Sequence, residues 1–255
     1  MKNQIKERIL VLDPKDYPKN KLLELEKKFY LIKKSFKNQK KFEDFIVNEV
    51  KNGKNINHIF LSLNYSLKKL LLKKIYKNLK TVLTPTTGIN HIDIDFLKKN
   101  KIKLVYLKPH KSLLNKINST AELALTLMLS LLKNLNLAQK NAKNSLWKKE
   151  DFTSQQVSDL KVGVIGLGRL GLKFSKYCNS LSMKVYGYDI NKIKHQKYIN
   201  KVKDMKYIFV NCDIISIHVN FNKYNKKLIS KKYLKLMKKN SIIINTSRGE
   251  LIDEN

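Results

Sequence analysis

The chain has 255 residues, 42% of them hydrophobic, which is enough for two globular domains, each with its own core. Its formal net charge of +33 would suit a protein that binds nucleic acid, but the only arginines are Arg8, Arg169 and Arg248, and the lysines are spread over every segment. Surfaces that grip phosphate favour arginine and gather their charge on one face, so the composition argues against a dedicated nucleic-acid site.

Over the first hundred residues, short apolar runs alternate with amphipathic segments. This alternation predicts a parallel sheet with helices on both faces. The predicted strands are 8–13, 29–32, 58–63, 80–85 and 102–107, and the predicted helices lie near 20–28, 41–51, 66–77 and 93–100. Residues 108–118 are predicted to be a connection.

A strongly apolar helix is predicted to begin at the sequence "NSTAEL", residues 118–123. Ser119 and Glu122 have the spacing of a capping box, in which each side chain satisfies a backbone amide of the other residue. The apolar residues that follow, up to Leu132, surround the helix axis, so the helix should be buried on all sides. A second subunit could cover one of those sides, and we therefore expect a homodimer.

A second alternating series follows a polar, loop-like segment at 148–160. Its predicted strands are 161–166, 184–189, 213–218 and 241–247. One predicted helix follows the first of these strands and ends near 181. Two others lie near 204–211 and 230–239. These elements indicate a second parallel sheet.

The glycines of "KVGVIGLGRLGLKF" have the spacing of a dinucleotide-binding turn: Gly166, Gly168 and Gly171. The first permits a tight turn from strand to helix, the second lets a pyrophosphate approach the backbone, and the third lets the helix pack on the sheet. The amides at the start of the helix would bind the phosphates. A mononucleotide site, an adenosine-only site, or a turn that binds no ligand would fit the same glycines.

Asp189 strengthens the dinucleotide interpretation, because it ends the next predicted strand, 18 residues after Gly171. There its carboxylate could accept hydrogen bonds from the adenosine ribose and would repel the extra phosphate of NADP, so NAD is the expected cofactor. Arg169, inside the turn, is expected to face the pyrophosphate.

Four blocks of sequence resemble the D-isomer-specific 2-hydroxyacid dehydrogenases, especially the branch similar to phosphoglycerate dehydrogenase. The blocks are 84–105, 117–134, 162–189 and 213–254. The resemblance implies an α/β protein with a flavodoxin-like substrate domain over 1–110 and a Rossmann NAD-binding domain over 111–255. The expected reaction is hydride transfer between NAD and a D-2-hydroxy acid or 2-oxo acid.

The resemblance also implies the site residues. The catalytic residue would be Arg248, which would hold the substrate's carboxylate and carbonyl. Backbone amides of Thr87, Gly88 and Ile89 would bind the substrate carboxylate. The implied cofactor-binding residues are Thr120, Gly166, Gly168, Arg169, Leu170, Gly171, Asp189, Val219, Thr246, Ser247 and Arg248. His218 is expected to be structural.

In this family a glutamate and a proline-histidine pair follow the catalytic arginine and transfer the proton. Neither follows Arg248 here, since Glu250 and Glu254 come too soon and no later proline exists. We therefore expect that the chain is truncated, that its Rossmann domain lacks the last strands, and that the chain alone is inactive. A catalytically inactive, NAD-binding regulatory protein of the same family is the alternative.

Other sequence features suggest a cytoplasmic protein. Cys178 and Cys212 lie in apolar segments without metal or redox spacing, so we expect reduced thiols and no metal site. The N-terminus lacks the apolar core of a signal peptide. The longest apolar stretch, 121–132, is shorter than the ~20 residues that span a bilayer, so we expect no membrane segment.

Overall fold

A computed structural model describes residues 6–254 of the chain, and it divides into two compact units between Leu114 and Asn115. In the first unit the strands are β1 (Arg8–Leu12), β2 (Tyr30–Lys34), β3 (His58–Phe60), β4 (Thr81–Thr84) and β5 (Lys103–Tyr106). Its helices are α1 (Lys19–Glu26), α2 (Gln39–Lys51), α3 (Lys69–Ile75), α4 (Ile94–Lys99) and α5 (Lys111–Lys116), the last of which crosses the division.

All strands of the first sheet are parallel, in the order β2-β1-β3-β4-β5. This is the flavodoxin-like order, as expected. Two helices of this unit begin with a side-chain N-cap. Asn38 accepts a hydrogen bond from the amide of Lys41 at the start of α2, and Asp93 accepts one from the amide of Phe96 at the start of α4. The main core lies on one face of the sheet and includes Leu10, Leu12, Phe42, Ile46, Ile59 and Leu72.

The second unit begins with two helices, α6 (Ser119–Leu132) and α7 (Leu135–Lys143). Its strands are β6 (Lys161–Ile165), β7 (Lys184–Tyr188), β8 (Asn200–Lys201), β9 (Ile214–Ile217) and β10 (Ile242–Asn245). The remaining helices are α8 (Arg169–Ser180), α9 (Met205–Asn211) and α10 (Lys231–Leu234). The strands are parallel in the order β10-β9-β6-β7-β8, which is a Rossmann arrangement.

Both faces of the second sheet are covered by buried cores. One includes Val162, Val164, Phe174 and Ile214, and the other includes Ile165, Ile208, Phe209, Ile215 and Ile217. Because β9 is buried throughout, the apolar run at 213–218 has no polar alternation.

The structure corrects several details of the sequence analysis. Helix α5 occupies part of the predicted connection at 108–118, and α7 and β8 were not predicted. The capping box is absent: α6 has Asn118 as its N-cap, without a side-chain capping bond. The Asn118 side chain instead accepts a hydrogen bond from Lys173 on α8.

Helix α6 is not buried on all sides within a single chain. Ala121, Ala124 and Met128 are fully buried, whereas Leu123, Leu127 and Leu131 are 40–52% exposed. Within the described residues no single helix is long and apolar enough to span a membrane. One bent pair, Lys111–Leu132 with Leu135–Lys143, meets the length and composition requirement only when its two segments are taken together.

Candidate functional site

The glycine turn joins β6 to α8 and leaves room for a ligand at one position only. Gly166 has a φ of +91°, and a Cβ there would lie 2.8 Å from the His218 carbonyl oxygen. A Cβ on Gly171 would lie 1.9 Å from the carbonyl oxygen of Gly166, whereas a Cβ on Gly168 would meet nothing within 4 Å. The first and third glycines are therefore required by packing, and the second faces open space.

The start of α8 can hold an anion. Gly168 is its N-cap and provides no side-chain capping bond. A helix of this length carries a partial positive charge at its N-terminus, and its first amides have no carbonyl partners within the helix. Amides at a glycine turn with open space beside them suit a pyrophosphate.

Asp189 lies at the carboxyl end of β7, beside this turn. Its Oδ2 accepts a hydrogen bond from the amide of Leu167 at 2.7 Å, and its Oδ1 accepts one from the amide of Asn191 at 2.8 Å. The carboxylate is thus fixed at the wall of a crevice of about 440 Å³. This volume suits the adenosine end of a dinucleotide.

The arginine of the turn contacts protein in this structure. Arg169 Nη1 donates a hydrogen bond to the Ile117 carbonyl at 2.6 Å, and partial burial lowers the pKa of the guanidinium. Lys173, one turn later on α8, donates to the Asn115 carbonyl at 2.7 Å. These bonds attach the segment before α6, and with it Thr120 in the first turn of α6, to the nucleotide helix. Leu170 packs into the adjoining core.

Arg248 follows β10 at the same edge of the sheet as the glycine turn. The strand registers align Ile165 of β6 with Ile217 of β9, and Ile217 with Asn245 of β10. Adjacent strands lie about 4.8 Å apart, so the residues that follow β6 and β10 are separated by roughly two strand spacings. Strand order reverses direction between β6 and β9, where α/β proteins bind their ligands.

Hydrogen bonds fix the loop that carries Arg248. Ser247 Oγ donates to the Ile217 carbonyl at 3.0 Å, and Asn245 Nδ2 donates to the Arg248 carbonyl at 2.8 Å. The guanidinium donates to the Ser247 carbonyl at 2.9 Å and forms no ion pair within residues 6–254. The Thr246 hydroxyl is buried and has no hydrogen-bond partner among the described residues. At this edge the guanidinium therefore has no carboxylate partner within the described residues, whereas the Thr246 hydroxyl is closed off from solvent.

His218 packs beneath the glycine turn, and its imidazole is largely buried, away from the edge where a base would be needed. Its amide donates to the Ile165 carbonyl at 2.8 Å, its ring centroid lies 5.1 Å from that of Phe174, and Nε2 lies 2.9 Å from Ser216 Oγ. Burial lowers the pKa of the imidazole to about 4. The next residue, Val219, would contact a Cβ at Gly166.

We predict that this buried histidine makes the protein less stable in mild acid. The unfolded imidazole gains a proton below pH 6.5, but the folded one gains it only near pH 4, so the free energy of unfolding falls as the pH drops through that window. The contribution is about 2 kcal/mol between pH 7 and pH 5. Denaturant unfolding of the parent and of His218→Gln at both pH values measures it. An equal pH dependence in the two proteins would contradict the prediction.

In the first unit, the expected substrate loop follows β4. Thr86 Oγ1 donates to the Gly88 carbonyl at 2.7 Å and lies 3.1 Å from Thr84 Oγ1, which folds the loop back on the strand end. Thr87 is exposed, and Ile89 packs against the core. The loop amides are thus presented at the carboxyl edge of the first sheet.

A polar cluster at the same edge was not predicted. Asp13, in the left-handed region at φ 49°, follows β1 and accepts hydrogen bonds from Ser62 Oγ at 2.5 Å, Asn64 Nδ2 at 2.9 Å and the Tyr65 hydroxyl at 3.2 Å. Partial burial alone would raise the pKa of Asp13, but these hydrogen bonds lower it. The cluster lies between β1 and β3, where the strand order of the first sheet reverses. The sequence "LDP" was its only signal.

Two further features lie outside the site. The Arg8 side chain at the start of β1 is only 20% exposed, and its guanidinium pairs with the Glu49 carboxylate at 2.7 Å. The sequence does contain a proline-histidine pair, Pro109 and His110, but it precedes Arg248 by far and so does not match the family's proton donor. The described residues contain no group of three His, Cys, Asp or Glu side chains placed to hold a metal.

A Rossmann sheet with a glycine turn, an acidic residue after the second strand and an arginine at the same edge is typical of dinucleotide-binding domains. Residues 9–159 match the catalytic domain of the D-isomer specific 2-hydroxyacid dehydrogenases, and residues 125–255 match the NAD binding domain of the same family. The chain belongs to this family, and NAD is the cofactor of its second domain.

Named relatives support the same family. The chain is 31% identical over 180 residues to a D-3-phosphoglycerate dehydrogenase of Archaeoglobus fulgidus, covering 70% of this chain and 33% of the relative. It is 31% identical over 178 residues to a hydroxypyruvate reductase of Thermotoga maritima, covering 70% and 56%. The chain thus spans a third to about half of the length of these relatives.

Solved structures resemble the chain over nearly all of its length. An acyclic imino acid reductase in complex with NADPH and D-Arg has a TM-score of 0.78 at 26% identity, covering 97% of this chain and 76% of that one. A D-lactate dehydrogenase from Aquifex aeolicus, complexed with NAD and lactic acid, has a TM-score of 0.76 at 25% identity, covering 96% and 70%.

Proposed function

We propose that the protein is an NAD-dependent oxidoreductase that transfers a hydride between the nicotinamide and C2 of a D-2-hydroxy acid or 2-oxo acid. One observation carries the proposal: the glycine turn, with its open position at Gly168, and Arg248 follow strands of one sheet at one edge. The first suits a diphosphate, and the second suits a carboxylate.

The proposed roles follow from the chemistry of each group. Amides of the turn from Gly166 to Gly171 bind the pyrophosphate, and Asp189 accepts from a ribose hydroxyl. The backbone of Val219, Thr246 and Ser247 is proposed to line the nicotinamide side. NAD, when bound, supplies the ring that accepts or donates the hydride.

Arg248 is proposed to orient the substrate. Its planar guanidinium can donate two parallel hydrogen bonds to a carboxylate, or one each to a carboxylate and the neighbouring carbonyl. In the oxo acid this second contact polarises the carbonyl toward hydride attack. In the first unit, the amides of Thr87, Gly88 and Ile89 are proposed to bind the substrate carboxylate.

Cofactor binding and turnover should be measured separately on the 255-residue chain. Isothermal titration with NAD+ and NADH tests the dinucleotide site, and loss of NADH absorbance with a panel of small 2-oxo acids tests the reaction. We expect binding of both nucleotides without turnover by this chain alone, and turnover of at least one acid once a longer chain supplies the glutamate and the proline-histidine pair that follow the catalytic arginine in this family. Binding without turnover in that longer chain would favour the NAD-binding regulatory alternative, and absence of binding would refute both.

We also propose that the protein is a homodimer through α6. Leu123, Leu127 and Leu131 recur every four residues and so form one exposed apolar row. Such a row on a soluble chain is typical of a subunit interface. A second copy would bury it.

Leu127→Glu should therefore shift the protein from dimer to monomer with little change in the stability of the single chain, because the side chain is 40% exposed there. Analytical ultracentrifugation at several concentrations measures the shift. Leu70→Glu is the matched control, since Leu70 is an exposed leucine on α3, at 79%, whose neighbours Leu71 and Leu72 are buried. A parent protein that sediments as a monomer would rule out the dimer.

A further inference from the structure

The crevice beside Asp189 is far more cationic than a site built to exclude phosphate should be. Its walls carry one acidic side chain, that of Asp189, and three basic ones, those of Lys192, Lys201 and Lys203. The apolar Ile190 also lines it. Within residues 6–254 none of the three lysines forms an ion pair, and all three are exposed.

The fold places these lysines next to the ribose position. Strand β8 pairs with β7 in parallel, with Lys201 opposite Gly187, so Lys203 and Asp189 each lie two residues after this aligned pair. Lys192 comes from the loop that leaves Asp189. The lysines therefore approach the crevice from two separate segments.

Asp189 is itself partly engaged. Both of its oxygens accept backbone amide hydrogen bonds, from Leu167 and Asn191, and these donors offset part of its negative charge. A phosphate monoester carries about −1.5 to −2 charges at neutral pH. Three lysines opposing one carboxylate can compensate for the repulsion between such a phosphate and Asp189.

We propose that this crevice accepts an adenosine 2′-phosphate, and that the protein binds NADP as well as NAD through Lys192, Lys201 and Lys203. The proposal rests on the proposed dinucleotide site and changes its cofactor range. It differs from the sequence-based expectation, which considered the charge of Asp189 alone. The ribose of NAD still binds through the Asp189 carboxylate.

The test is isothermal titration of the full chain with NAD+ and with NADP+ at equal ionic strength. We expect dissociation constants within about tenfold of each other. The triple variant Lys192→Gln, Lys201→Gln, Lys203→Gln should weaken NADP+ binding by about tenfold or more, which is the combined effect of three exposed charge contacts. Its NAD+ affinity should change less than about threefold. The NADP+ affinity of the parent should also fall more steeply with added salt.

Lysine is frequent throughout this chain, so the control must remove the same charge elsewhere. Lys176, Lys235 and Lys239 are exposed lysines of the second unit outside the crevice, and their combined change to glutamine is the matched control. An equal loss of NADP+ affinity in the control would overturn the inference in favour of a net-charge effect. Binding of NAD+ without NADP+ would overturn it and leave the proposed function intact. Binding of neither would remove both.

Discussion

Gly171→Ala should abolish measurable NAD binding and destabilise the second unit by about 3 kcal/mol. The added methyl would lie 1.9 Å from the Gly166 carbonyl oxygen, and a backbone atom cannot move away as a flexible side chain can. Either α8 shifts from the sheet or the turn at Gly166 opens, and overpacking of this kind typically costs 1–3 kcal/mol, occasionally more. Both responses displace the amides that are proposed to hold the pyrophosphate.

Two matched variants separate folding from binding. Gly168→Ala adds the same methyl where nothing lies within 4 Å, so it should leave the melting temperature unchanged while weakening NAD binding, since it fills the proposed phosphate space. Gly249→Ala also meets nothing within 4 Å and should change neither property. The Gly171 variant should melt roughly 6–12 °C lower than the parent. Normal NAD affinity in Gly168→Ala would contradict the assigned position of the pyrophosphate.

The sequence predicted the two parallel sheets well because buried parallel strands are nearly continuous apolar runs. "DIISIH" and "SIIINTS" are such runs, and β9 and β10 lie inside them. The glycine turn was predicted equally well, because its first and third positions need the close packing and the positive φ that only glycine allows. Short or polar elements carry no such signal. Helix α7 has the sequence LNLAQKNAK, and β8 has only two residues.

Tertiary contacts explain the details that the sequence could not supply. Ser119 and Glu122 have capping-box spacing, but Lys173 on another helix binds Asn118 and the helix starts without a side-chain cap. Arg169 lies in the dinucleotide turn, yet its guanidinium bonds to the Ile117 carbonyl. Lys192 is close to Asp189 in sequence, but Lys201 lies in β8 and Lys203 follows it, so only the pairing of β8 with β7 brings these two lysines to Asp189. Local pattern predicts the elements, and long-range pairing decides which polar groups meet.

In a chain extended by the family's glutamate and proline-histidine pair, Arg248→Ala should reduce kcat/KM for the preferred 2-oxo acid by about 10²–10³-fold and leave NAD+ affinity within about threefold of the parent. The guanidinium has no carboxylate partner within the described residues, so its removal leaves no buried charge unpaired. The loss should therefore come from substrate orientation and carbonyl polarisation, and not from unfolding. Arg248→Lys keeps the charge but removes the planar fork, and it should recover only a small part of the rate.

A readout that does not need turnover makes the same test possible in a chain with little activity. Oxamate, a 2-oxo acid analogue, should bind to the NADH complex of the parent and change the NADH fluorescence, and Arg248→Ala should abolish this response while NADH alone still binds. Lys239→Ala, at an exposed lysine before β10, controls for the loss of one positive charge. If oxamate still binds Arg248→Ala with parental affinity, Arg248 does not hold the substrate carboxylate, and the assignment of this edge as the site of hydride transfer fails.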